Sequence, residues 1–315
     1  MAGTGPSGER AARAASLLRD RSGVQRVTNI ELFFDLVYVF AVTQLSHYLL
    51  DHPTVRGALQ ANYERILAWC TVSGALAVGG GFAHGYLRDV LWLLAVGVDL
   101  TGGVVGFAVP GLGASRTADW TIEGGHFAER CQAFILIALG ESVVIIGATL
   151  GGQRTITASA VAAFVVAFGT SVALWWLYFD QSAEAAAEAI ARSPDPGRLG
   201  RSAYHLVHPI MVAGIIVTAA ADEKVLSDPA GLASPASAWM ILGGPALFLA
   251  GHVAFKFVVW RYVSWPRVGG IVVLALLALA ARSIPALALA ACAAALVTAV
   301  AATDRLPWLP HPATD

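Results

Sequence analysis

The chain has 315 residues, 57% of them hydrophobic and only 13% charged, with a formal net charge of −1. Mean hydropathy is +0.66 and the isoelectric point lies near 6.7. Soluble domains are roughly 45–50% apolar and about 25% charged, so a water-soluble enzyme, a disordered chain and a basic nucleic-acid binder are excluded. The composition predicts an all-α polytopic transmembrane helical bundle with the lipid bilayer as its partner. It names no cofactor, small molecule or ion, and fixes no oligomeric state.

Residues 1–28 form an arginine-rich tail in which Arg10, Arg13, Arg19, Arg21 and Arg26 face only Glu9 and Asp20. The stretch has no apolar core or small-residue cleavage site, so no signal peptide is expected. The arginine excess before the first span predicts a cytoplasmic N-terminus in a bacterial inner (cytoplasmic) membrane. With about 20 apolar residues per span, spans fall at 31–50, 66–83, 90–110, 130–150, 157–179, 204–221, 236–260, 268–282 and 284–302. That makes about nine, within a membrane domain at 29–303 and before a C-terminal tail at 304–315.

Connections follow the same logic. Residues 180–203 contain an Ala/Glu stretch suited to a short interfacial helix, then SPDPG as a turn. Trp175, Trp176 and Tyr178 read as an interfacial aromatic belt. The last two spans are short and divided by Arg282–Pro285, giving either a tight hairpin or one span plus a half-helix. Cys70, Cys131 and Cys292 lie in apolar runs and read as small buried hydrophobes.

Ionisable groups inside a span cost about 2.5–3.5 kcal/mol each on insertion scales, so each asks for a partner or a purpose. Glu31 and Asp35 stand four apart in ELFFDLVYVF, on one helical face, where like charges call for a shared proton or a cation. His126, Glu129 and Arg130 open the span GGHFAERCQAFILIALGESVVIIGAT, and Glu141 follows eleven residues after Arg130. At 1.5 Å per residue it lies about 17 Å deeper. These six residues form the expected polar centre, with Asp35 approaching Glu141. Secondary candidates are Asp99, Asp180, His205, His208 and His252. His205 and His208, three apart, could share a metal ion, although two ligands do not make a site. Lys256, one turn after His252, reads as a snorkelling side chain.

ELFFDLVYVFAVTQLSH, HFAERCQAFILIALGESVVIIGAT and LWWLYFD together resemble the bacterial low temperature requirement protein A family, from about residue 27 to about 302. The resemblance implies an integral multi-helix bacterial membrane protein without an established reaction. It carries over onto Glu31, Phe33, Phe34, Asp35, His126, Glu129, Arg130, Gly140, Glu141, Tyr178, Phe179 and Asp180. One departure stands out. RGALQ runs directly into ANYERILAWC, where the resemblance implies two further spans, so a helix pair is missing around Gln60–Asn62.

Three functional readings remain open on the sequence. The first is a transporter or proton- or ion-linked membrane protein built on the acidic centre. The second is a metal-dependent membrane hydrolase or lipid-modifying enzyme with Glu31, Asp35, His126, His205, His208 or His252 as ligands. The third is a non-catalytic sensor or assembly factor.

Overall fold

The computed structural model describes residues 61–114, 124–180 and 182–304. By its internal contacts the chain divides into Met1–Glu64 and Arg65–Asp315. The described helices belong to the second unit, apart from the opening residues of α1.

Every regular element among the described residues is helical. The long helices are α1 (Ala61–Phe82), α2 (Tyr86–Val104), α3 (Gly124–Gly151) and α4 (Ala158–Phe179). Two short ones follow, α5 (Ser182–Ala191) and α6 (Pro196–Gly200), which runs into a π-helical segment, Arg201–Val207. The remainder are α7 (His208–Ser227), α8 (Pro235–Trp260), α9 (Trp265–Ala280) and α10 (Ala286–Thr303). Each span expected from residue 66 onward falls on one of these helices, and the span expected at 31–50 lies outside the described residues. Seven of the described stretches are long and apolar enough to cross a membrane. The chain is an all-α membrane bundle.

Local chemistry sets the helix ends. Thr157 caps α4 by accepting from the Ala160 amide, and Ser234 caps α8 by accepting from that of Ser237, with Pro235 in the first turn. Asp195 of the expected turn caps α6 in the same way. Helix α2 stops six residues short of the predicted 110, because the chain turns into left-handed conformation at Gly106 and Phe107. Arg282–Pro285 resolves as a hairpin: a 3₁₀ turn at Ala281–Ser283 leads to Pro285, which caps α10.

The core is organised around α7 and α8. A Cβ on Gly214 would meet the Phe248 backbone, one on Gly244 the Thr218 backbone, and one on Gly251 the Met211 side chain and amide. These pairs step up one helix as they step down the other, an antiparallel register in which small residues bring two backbones together. Ile135, Leu174, Met211, Phe248, Leu289 and Val297 fill the space around them, all at most 1% exposed. Leu93, Val144, Val165, Trp239 and Leu279 are exposed on the outside, the surface an apolar solvent would cover. Cys70 and Cys292 are exposed and Cys131 is half-buried. This corrects the expectation that all three are buried, since an apolar run in a membrane helix does not distinguish lipid-facing from core positions.

The bundle has two chemically distinct ends. At one, Gln153 donates to the Leu226 carbonyl at 2.9 Å, and the Ala286 amide to that of Gly231 at 2.9 Å. The other gathers the ends of α2, α4, α8 and α10 with the starts of α3, α7 and α9, and there His208, His252, Lys256 and Arg267 are buried.

Candidate functional site

At that second end His252 is fully buried about two turns before the end of α8. Its Nδ1 accepts from Arg267 Nε at 3.4 Å, and its Nε2 lies 3.1 Å from Ser182 Oγ. A guanidinium has only donors, so Nδ1 carries no proton, and a neutral ring then donates through Nε2 to the serine. Arg267, in the first turn of α9, is also 0% exposed. It donates to Ser264 Oγ at 2.9 Å and binds Asp304 with both terminal nitrogens, Nη1 to Oδ1 at 2.9 Å and Nη2 to Oδ2 at 2.5 Å. Fork-on-fork pairing is what allows a guanidinium to be taken this far from water.

A second pair adjoins it. The Tyr178 hydroxyl at the end of α4 shares a 3.0 Å hydrogen bond with His208 Nε2 at the start of α7. The Tyr178 ring lies 6.4 Å from the His252 ring, and Tyr204 packs on His208 at 5.5 Å. The layer thus draws on α4, α5, α7, α8, α9 and the end of α10. Just beyond α8, partial burial raises the Tyr262 phenol above its ordinary pKa, with Arg267 opposing the shift and Asp304 adding to it.

The sequence candidates divide. His208 and His252 belong to this layer. His205 lies in the π-helical segment with its ring against Gly103 of α2, leaving no room there for a Cβ. Among the described residues, no three His, Cys, Asp or Glu side chains are placed to hold a metal ion. Asp180 and Glu129 are exposed, and Arg130, Glu141 and Asp99 are half-buried. Glu129 and Arg130 open α3 while Glu141 sits three turns along it, so these members of the expected centre are not brought together. Glu31, Asp35 and the His126 side chain lie outside the described residues, and with them the Asp35–Glu141 approach.

Two readings are corrected. Tyr178 is 0% exposed and part of the core, not of an interfacial belt; Trp175, three positions earlier, is the exposed one. Lys256 is 5% exposed and does not snorkel, because α8 turns it with His252 toward α9. Arg267, Asp304, Ser182, Ser264 and Tyr204 were absent from the candidates. Arg267 precedes the predicted start at 268 by one residue, and Asp304 follows the predicted end of the membrane domain by one. A hydropathy ruler trims charges from the ends of spans, and so assigns such residues to water.

The profile of the bacterial low temperature requirement A protein (LtrA) matches residues 26–63 and 60–302. The chain belongs to the LtrA family. The two matched segments overlap at residues 60–63. It is 37% identical over 213 residues to an uncharacterized protein of Rhizobium meliloti (strain 1021), covering 67% of this chain and 52% of the relative. The chain thus spans about half the length of that relative. No solved structure matches it. Family and helices together make it a multi-pass bacterial membrane protein.

Proposed function

We propose that this LtrA-family chain is a proton-linked membrane transporter, and that the layer around His252 and Arg267 is part of its proton path. The observation that carries the reading is the fully buried imidazole held between a serine hydroxyl and a guanidinium that is itself bidentate to Asp304. A proton arriving at Nδ1 would remove the acceptor that Arg267 uses and place two cations side by side. Arg267 would then have to re-aim, shifting α9 and α10 against α8. Proton binding is in this way linked to helix packing, which is what alternating exposure requires.

We place the protein in the inner membrane with its N-terminus in the cytoplasm, on the arginine excess of the first 26 residues. The match that divides at 60–63 supports the loss of a helix pair there. An even number of lost spans leaves later helices in their orientation.

The test is an imposed pH gradient across vesicles loaded with a pH-sensitive dye. Vesicles holding the full chain should dissipate the gradient faster than empty ones, and His252→Ala should remove the difference. Equal rates with and without protein would overturn the reading.

A further inference from the structure

The other end of the bundle holds a buried acid that the His252 layer does not use. Asp222 lies in α7, five residues before its end at Ser227, about 8 Å inside the helix terminus. It is 5% exposed, and its Oδ2 is buried with no hydrogen-bond partner among the described residues. The α7–α8 register explains the setting. The Gly214–Phe248 and Thr218–Gly244 contacts, continued by one turn, bring Asp222 to the Met240–Ile241 turn of α8, which is apolar.

None of the described helices packed on α7 offers a cation there. In α8, residues 235–251 contain no ionisable side chain, and neither do residues 158–177 of α4. α10 carries only the exposed Cys292, and the inner half of α3 only Glu141, another acid. The ionisable groups of the π-helical segment lie at the opposite end. On α7 itself Glu223 is half-buried and Lys224 exposed, while Arg154, Asp228 and Arg282 in the nearby connections are exposed to the outside.

An ionised carboxylate in such a place costs several kcal/mol unless something neutralises it. A metal cation needs several oxygen ligands. The next polar group along this face is the Thr218 hydroxyl, which already donates to the Gly214 carbonyl at 2.8 Å. A proton needs one oxygen.

We propose that Asp222 is a proton-binding site of the bundle, taking a single proton on its open carboxylate oxygen, whereas Asp304 at the other end has Arg267 as its counter-ion. The site deepens the proton-linked reading and rests on it only for the use made of the proton. Its occupancy can be read without any flux measurement.

The test is labelling of the full chain in detergent with dicyclohexylcarbodiimide, a membrane-soluble reagent that adds to un-ionised carboxyl groups, followed by peptide mass mapping. An adduct should form at Asp222, with a rate that falls about tenfold per pH unit once the site has titrated. Replacing choline by sodium should not change it. Asp222→Asn should lose the adduct and melt close to wild type, since it keeps the shape and removes the charge. No adduct at Asp222 between about pH 5 and pH 9, or one formed at the same rate throughout, would overturn the assignment. Protection by sodium would overturn it too, in favour of a cation site. An Asp222 adduct with the expected pH profile, in a protein that moves no protons, would leave the site standing and remove the transporter.

Discussion

Arg267 and Asp304, 37 positions apart in sequence, tie the start of α9 to the end of α10 through two parallel hydrogen bonds. The hairpin at Ala281–Ser283 brings those termini to one end of the bundle, so the ion pair closes a two-helix loop. Breaking a buried pair by removing one partner leaves the other charge uncompensated, at about 3–5 kcal/mol. Asp304→Ala should therefore lower unfolding stability in detergent by that order, and Arg267→Met somewhat less, since no buried cation remains. The double replacement Arg267→Met, Asp304→Leu should cost less than the two single losses added together. Additive losses would show that the two residues act separately.

The close approach of α7 and α8 predicts a sharp contrast between glycines. A Cβ on Gly244 would stand 2.5 Å from Thr218 Oγ1 and 2.7 Å from the Thr218 amide, and backbone cannot step aside. Gly244→Ala should destabilise by about 1–3 kcal/mol through overpacking. Gly169, in the middle of α4, has nothing within 4 Å of the added atom. There alanine should be neutral or stabilising by up to about 1 kcal/mol, from helix propensity alone. Equal melting shifts for the two variants would show that α7 and α8 are not packed through these glycines.

The α4–α7 hydrogen bond gives a third measurement. Tyr178→Phe keeps the ring and removes the hydroxyl that meets His208 Nε2, leaving a buried imidazole nitrogen without its partner. The loss should be about 1–3 kcal/mol. His208→Phe in the same background should cost far less than it does alone, because the orphaned group is then gone. A double-mutant cycle in thermal unfolding reads the coupling directly.

The fold was more legible in the sequence than the site, and particular residues show why. Apolar runs of membrane length mark α3, α4, α7, α8 and α10 with no need for tertiary information. Which face of each run meets protein is a different quantity. Cys70, Tyr178 and Lys256 were all misassigned, because facing depends on neighbours contributed by distant helices. His208 and His252 were legible as ionisable groups inside apolar stretches. Arg267 and Asp304 were not, since each stands at the edge of its span and gains meaning only when the hairpin folds them together. Asp222 was hidden by company: in ADEK it reads as the first residue of a charged loop, yet α7 continues to Ser227.

The arrangement around His252 makes a final prediction about tautomer and coupling. Because Arg267 can only donate, Nδ1 of His252 must accept, and the ring proton sits on Nε2 facing Ser182. Protein with ¹⁵N-labelled histidine should show His252 as a single neutral tautomer protonated at Nε2. Arg267→Met removes the donor that selects this form, so the Nδ1-protonated form should become populated. Ser182→Ala acts from the other side. It leaves the Nε2 proton without its acceptor in a site 0% exposed, at a cost of about 1–3 kcal/mol, without changing the tautomer that Arg267 imposes. The two substitutions thus separate: one moves the tautomer, the other only the stability. A wild-type spectrum dominated by the Nδ1-protonated form, or by the doubly protonated ring, would contradict the contact with Arg267 and with it the coupling of this imidazole to the Arg267–Asp304 pair.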